Sequence, residues 1–349
     1  MCVMHLTADS PVPGAGRTDP RKRTTMKHPF ARAAAVGTVL TFALTACGGG
    51  GTTGGGGDGE ELQPLTIGVI PIAPSAPVQL ALDEGIFEKH GLDVTIETAQ
   101  GGAAMLPAVS GGSMDIGVGN PLSVILAKDQ GLDMKILSGY SSSMAEGEDI
   151  TGVAANQDAG IASWADLAGK RVAVNTINGQ GDLTIKEVVS QDGGDPDAVN
   201  FVEMPFQDMP AQLERGEIDA AWVPEPFLTQ LINGEQTALV GYNYQDTVPG
   251  LDTMVTFSST AFTEENPEVL ENYDAAIEEA LQFAQENPDR VRETIVSFLN
   301  MPEEVATDLR LEEFDAEVDR DELDTLAELM LKYDVIETEA NLDEIVQAD

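Results

Sequence analysis

Positive charge is what this chain has least of: 18 Lys+Arg stand against 60 Asp+Glu, a formal net charge of −42 over 349 residues. A surface so acidic repels phosphate backbones, which excludes a general nucleic-acid binder and a basic module for membrane surfaces. With 2 cysteines there is no disulfide framework. Histidine is almost as scarce, at 3. No H-E-x-x-H or C-x-x-C string occurs, and Asp319–Asp324 lacks the glycine that a calcium loop needs at its sixth position. Gly179-Gln180-Gly181 lacks the third glycine of a dinucleotide fingerprint, and no P-loop lysine follows it. Neither a metal nor a cofactor is therefore expected. What is present is 42% hydrophobic residues, enough to bury a core, in a length that suits two domains of ordinary size.

The N-terminus carries the first pattern. From Met26, the basic residues Lys27, His28 and Arg32 precede an uncharged apolar run from Ala33 to Leu44. About a dozen residues fall short of the ~20 needed to span a bilayer, but basic-then-apolar is the order of a secretory signal. The run ends in Leu44-Thr45-Ala46-Cys47, which resembles a bacterial lipobox. That resemblance implies cleavage before Cys47 and lipidation of its thiol. Residues 1–46 are thus expected to be a leader, its signal starting at Met26 because Asp9, Asp19 and the prolines before it are not signal-like. The stretch 47–63 is rich in glycine and reads as a lipid-anchored tether.

Beyond Leu65 short apolar runs alternate with helical spacing. Strands are predicted over 65–70, 93–97, 115–118 and 133–138, with helices over 77–88, 103–109 and 121–129 between them. A strand-like connection over 150–155 opens a second set, with strands over 171–174, 199–203, 218–222 and 237–241. This β-α alternation predicts α/β lobes whose sheets are mostly parallel and helix-covered. A further strand over 254–258 leads into amphipathic helices, among them 268–285 and 289–299, so the C-terminus is expected to be helical.

Several strings also carry a resemblance. They are Leu82-Asp83-Glu84-Gly85-Ile86-Phe87-Glu88-Lys89-His90-Gly91-Leu92-Asp93-Val94, Gly101-Gly102 before a helix, Ser110 to Asn120, Asp166 to Val174, and Gly216 to Pro226. In order and spacing the chain resembles the solute-binding proteins of ABC importers for nitrate, sulfonates, taurine and thiamine-precursor pyrimidines. The resemblance implies a two-lobed periplasmic-binding-protein fold of type II, its lobes joined by hinge strands, with 65–150 plus 250–349 forming lobe 1 and 151–249 lobe 2. It implies an extracytoplasmic, monomeric lipoprotein of a bacterial cell membrane that takes a small-molecule solute in its cleft. The partner is an ABC permease.

In open α/β sheets ligands sit beyond the carboxyl ends of strands, where helix N-termini begin. This rule selects Ser75, Gly101, Gly102, Asn120, Tyr140, Ser141, Asn175, Thr176, Gly181, Phe206 and Glu225 as ligand-binding candidates. The glycines permit close backbone approach, and the asparagines offer amides or form local turns. Tyr140, Phe206, Trp222 and Phe227 offer a flat wall, with core packing the alternative for Trp222 and Phe227. Glu225 either holds an amine or caps a helix. These loops hold no Lys or Arg. A small organic solute, sulfonate-like or a pyrimidine, is therefore expected rather than a bare inorganic anion.

No catalytic role is expected. A pyrimidine-forming enzyme on this fold uses a histidine and a cysteine-rich motif, whereas the processed chain would keep only His90 at a helix C-terminus. A ligand-sensing lipoprotein would share the same leader and cleft, and stays open as an alternative. Residues 264–349 hold 28 acidic and 5 basic side chains, a net of −23. The acidity is therefore expected to describe a solvated surface more than a ligand.

Overall fold

The computed structural model describes residues 61–347; the leader 1–46, Cys47 and most of the glycine tether lie outside the described residues. Eleven strands occur among the described residues: β1 Gln63–Val69, β2 Leu92–Thr98, β3 Ile116–Gly119, β4 Met134–Ser142, β5 Thr151–Asn156, β6 Arg171–Val174, β7 Asn200–Glu203, β8 Ala220–Pro224, β9 Thr237–Gly241, β10 Asp252–Ser259 and β11 Glu313–Phe314. They form two sheets, ordered β11-β4-β10-β3-β1-β2 and β7-β6-β8-β5-β9. β1 buries Leu65, Ile67 and Val69 on one face, and it pairs in parallel with β2 and β3. The second sheet buries Val153, Val172, Val174, Ala221 and Val223 in the same way.

Each sheet joins a parallel block, β3-β1-β2 or β7-β6-β8, to antiparallel pairings, so the mostly parallel pairing expected holds only within those blocks. β11 pairs antiparallel with β4, and β10 and β5 are reversed for a geometrical reason. β10 runs antiparallel to β3 and β4, and β5 runs antiparallel to β8 and β9. β5 begins opposite Pro224, at the carboxyl end of β8, and β10 begins opposite Ser142, at the carboxyl end of β4. A chain that crosses from one lobe reaches the next sheet at the edge facing the gap between them. The strand it forms must therefore run against its neighbours. The connection expected over 150–155 is accordingly a full interior strand, paired on both sides.

Other differences are local. The helix expected over 77–88 divides at Gly85, whose φ of 70° suits glycine, into Ala76–Asp83 and Ile86–Lys89. The C-terminal helices Pro267–Glu286 and Pro288–Leu299 each begin on proline, which has no N–H to lose there. Leu270, Tyr273, Ile277, Leu281 and Ala284 make one buried stripe of the longer helix, packed on the lobe of the six-stranded sheet. Among the described residues no helix is long and apolar enough to cross a membrane.

Candidate functional site: a cavity between two sheets

Where the carboxyl ends of the two sheets face each other lies a cavity of about 40 Å³. Ile70, Ile72, Pro74, Asn120, Thr253, Met254 and Glu312 line it from one side, and Thr151, Asn175, Phe206, Trp222, Pro224 and Tyr244 from the other. A larger groove of about 1160 Å³ along Glu313–Glu322 contains no residue of the five-stranded sheet. The small cavity draws its lining from both lobes.

The lobes touch at its rim. A Cβ on Gly101 would stand 2.8 Å from Asn175 Nδ2 and 3.3 Å from Thr176 Oγ1, so the close approach depends on glycine. Gly102 is confined in the same way by Ser123 Oγ at 3.1 Å and Asn120 N at 3.4 Å. Asn120 caps the helix Pro121–Asp129, its Oδ1 accepting from Ser123 N at 2.8 Å and Ser123 Oγ at 2.9 Å. Gly181 lies under Trp222, and a Cβ there would come within 2.4 Å of the indole. Further bonds cross the gap, among them Ala73 N donating to Glu225 O at 3.2 Å, Gln180 Nε2 to Asp252 O at 2.7 Å, and Tyr333 OH to Glu187 Oε2 at 2.8 Å.

The aromatic wall comes from the lobe of the five-stranded sheet. Phe206 lies 5.4 Å from Trp222 and 6.4 Å from Phe227, and Trp222 lies 5.7 Å from Tyr244, ring centre to ring centre. Phe206, Trp222 and Tyr244 reach the cavity, whereas Phe227 packs behind Phe206. Tyr140 does not join the wall. It is fully buried and edge-on to Phe314 at 6.4 Å, in the core beside β11.

Polar groups around the cavity are only partly satisfied. Ser75 is buried beside Pro74 and its Oγ has no partner; the same holds for Trp222 Nε1. Glu312 is 6% exposed. Thr253 Oγ1 lies 3.0 Å from Glu312 Oε1 and 2.9 Å from Ser141 Oγ, while Glu312 Oε2 has no partner. Burial pushes the Glu312 carboxyl up to about 8, against the pull of the Ser141 and Thr253 hydroxyls, and the charge of Asp149 adds to the rise.

Glu225 has a different fate. Its Oε2 accepts from Thr229 N at 2.9 Å and its Oε1 from Thr229 Oγ1 at 2.8 Å, which caps the helix Phe227–Ile232. Arg310 Nη1 lies 3.2 Å from the same Oε1, and Arg310 Nη2 lies 3.0 Å from Glu148. Burial raises the Glu225 carboxyl and these bonds oppose the rise. Of the two roles open to this residue in the sequence, the side chain occupies the capping one, with an added ion pair between lobes. His90, the one histidine among the described residues, has Nε2 2.8 Å from Glu279 Oε2, away from the cavity.

The structure thus gathers Asn120, Asn175 and Phe206 around one space, sets Gly101, Gly102 and Thr176 at its rim, and keeps Ser75, Ser141 and Gly181 immediately behind it. Tyr140 and Glu225 face elsewhere. Sequence reasoning misses Glu312, Thr253, Tyr244 and Arg310. No turn motif or helix start marks the run Leu309-Arg310-Leu311-Glu312-Glu313 in so acidic a segment.

The family model described as NMT1/THI5 like matches residues 73–291. A Bacillus subtilis protein, provisionally named an aliphatic sulfonates-binding protein, is 25% identical over 262 residues, 71% of this chain and 72% of that protein. The formylaminopyrimidine-binding protein of Halalkalibacterium halodurans is 26% identical over 222 residues, 62% of this chain and 64% of that protein. In fold, the chain is similar to the alkanesulfonate-binding protein SsuA from Xanthomonas axonopodis pv. citri bound to MOPS, with a TM-score of 0.71 at 15% identity over 82% of this chain and 99% of that one.

Proposed function

The chain belongs to the NMT1/THI5-like family, and from that premise we propose that it is the solute-binding component of an ABC importer. It captures a small organic solute between its lobes and hands it to a membrane permease. The observation that carries this reading is the cavity built by the carboxyl ends of both sheets. A ligand there touches both lobes and so favours the closed arrangement over the open one, which is the differential affinity a hinge needs. The crossings between sheets, 143–150 and 242–251, supply the hinge.

In this proposal Cys47 carries the lipid, the glycine tether gives reach, and the protein works outside the cytoplasm as a monomer. The solute leaves chemically unchanged. A thermal-shift screen of the purified protein with taurine, alkanesulfonates, nitrate and thiamine-precursor pyrimidines tests the reading. A compound at 100 times its Kd should add about 2.7 kcal/mol. Stimulation of a reconstituted permease ATPase by the loaded protein is expected to follow. A compound that is turned over during long incubation would overturn the carrier role.

A further inference from the structure

We propose that the solute of this cleft is an organic cation of amine or amidine type whose N–H groups are received by Glu312, an inference that rests on the solute-binding reading above. Glu312 is the one carboxylate lining the cavity, and its Oε2 has no partner inside the protein. A buried polar atom left without a partner costs about 1–3 kcal/mol, so a ligand that pairs with Oε2 relieves that penalty, and a cationic N–H donor also stabilises the carboxylate once its proton is released. The opposite wall is Phe206, Trp222 and Tyr244, whose ring faces attract cations.

An anionic head group finds little to hold it. No Lys, Arg or His lines the cavity. The helix N-termini, which could bind an anion through their N–H groups, are mostly occupied by proline or a cap, or carry an acidic side chain. The helix Pro121–Asp129 starts on proline and is capped by Asn120. The helix Gln180–Gln191 holds the buried Asp182 carboxylate in its first turn, accepting from Asn178 N at 2.8 Å and Gly179 N at 2.7 Å. Ala76–Asp83 has a proline in its first turn. Gly102–Ser110, at the rim with Gly101, begins without proline or a side-chain cap; Gln180–Gln191 also lacks both, and there the Asp182 carboxylate in the first turn opposes an anion. Arg310, two residues before Glu312 and outside the lining, is paired with Glu225 and Glu148.

Proton balance follows from this geometry. The titratable groups that face Glu312 are Asp149, Tyr140 and Tyr244. None is a cation. Burial holds the Glu312 carboxyl up at about 8, which favours its protonated form at neutral pH. A bound cation favours the carboxylate, so capture releases a proton and tightens as pH rises. A sulfonate would instead need Glu312 protonated and would weaken with rising pH.

The test is calorimetric titration of the purified protein with 4-aminopyridine and benzamidine, flat cations, and with benzenesulfonate and pyridine-3-sulfonate, comparable rings bearing an anion. At about pH 8.5 the cations should bind about tenfold or more tighter than at about pH 6, with proton release seen as a buffer-dependent heat. Glu312→Gln, isosteric with the protonated carboxyl, should keep the ligand-free melting temperature. It should weaken the cations by about tenfold or more and remove their pH dependence. Binding of a sulfonate with both cations silent would overturn the cation class and leave solute capture standing. Cations that bind Glu312→Gln as tightly as the parent would overturn the role of Glu312. Silence of all four probes and of the whole thermal-shift screen would bring down both readings.

Discussion

Glu225 and Glu312 are both buried in the region between the lobes, and their partners separate them. Glu225 has its oxygens filled by Thr229 and Arg310, so replacing it should be felt in stability. Glu225→Gln is expected to cost about 1.5–3 kcal/mol, the range for a hydrogen bond to a charged group, because Arg310 loses its interlobe partner. Affinity for a compound found in the screen should change little; a large loss of affinity at unchanged stability would place Glu225 at the ligand. Thermal melts and titrations on the same preparation separate the outcomes. The sequence draws attention to Glu225 because a Glu-Pro pair follows a strand. Glu312 has no such setting, since its meaning arises from Thr253 and Ser141, which are 59 and 171 positions away in the chain. Residues defined by long-range partners are the ones that composition and spacing leave dark.

The same division holds for elements. Strands such as β1 and β6 are legible because they are short runs with buried aliphatic residues, and Gly101-Gly102 before a helix marks a place of close approach. β11, with two residues, carries no periodicity to read, and the direction of β5 and β10 depends on which lobe the chain has just left. Gly101 shows how an element boundary serves the whole cleft. Gly101→Ala puts a methyl group 2.8 Å from Asn175 Nδ2, and since Gly101 has an extended φ of 172°, backbone strain is not the issue. The lobes are expected to stand slightly apart. Affinity for a screened compound should fall about tenfold, roughly 1.4 kcal/mol, with little change in ligand-free melting. Unchanged affinity by calorimetry would mean that the rim contact contributes nothing to closure.

At the scale of the molecule, charge decides how conditions act. The net charge of −42 makes the folded state repel itself, so melting temperature should rise with salt. Burial pushes Asp149, Asp182, Asp252 and Asp274 up to about 6, Glu322 to about 7 and Glu312 to about 8. Each folded value lies above the unfolded one. Their contribution is therefore fully present below about pH 4 and is lost as pH rises through 6 to 8. Groups held low by partners, such as Asp219 beside Arg171 and Glu279 beside Lys89, act in the opposite sense and only as pH falls below their ordinary range. Melting should therefore be higher near pH 5 than near pH 8, and salt should narrow the difference. A melting temperature flat in both variables would contradict this account. The reversed strands also set an order of assembly. β5 to β9 are contiguous in the chain and can close into a sheet once residue 241 has emerged. The other sheet keeps an open slot between β3 and β4 until β10 arrives, more than a hundred residues after β4 ends. Newly made chain therefore spends its longest unfinished interval with the first lobe incomplete, and a holding chaperone would find its footing on the facing edges of β3 and β4.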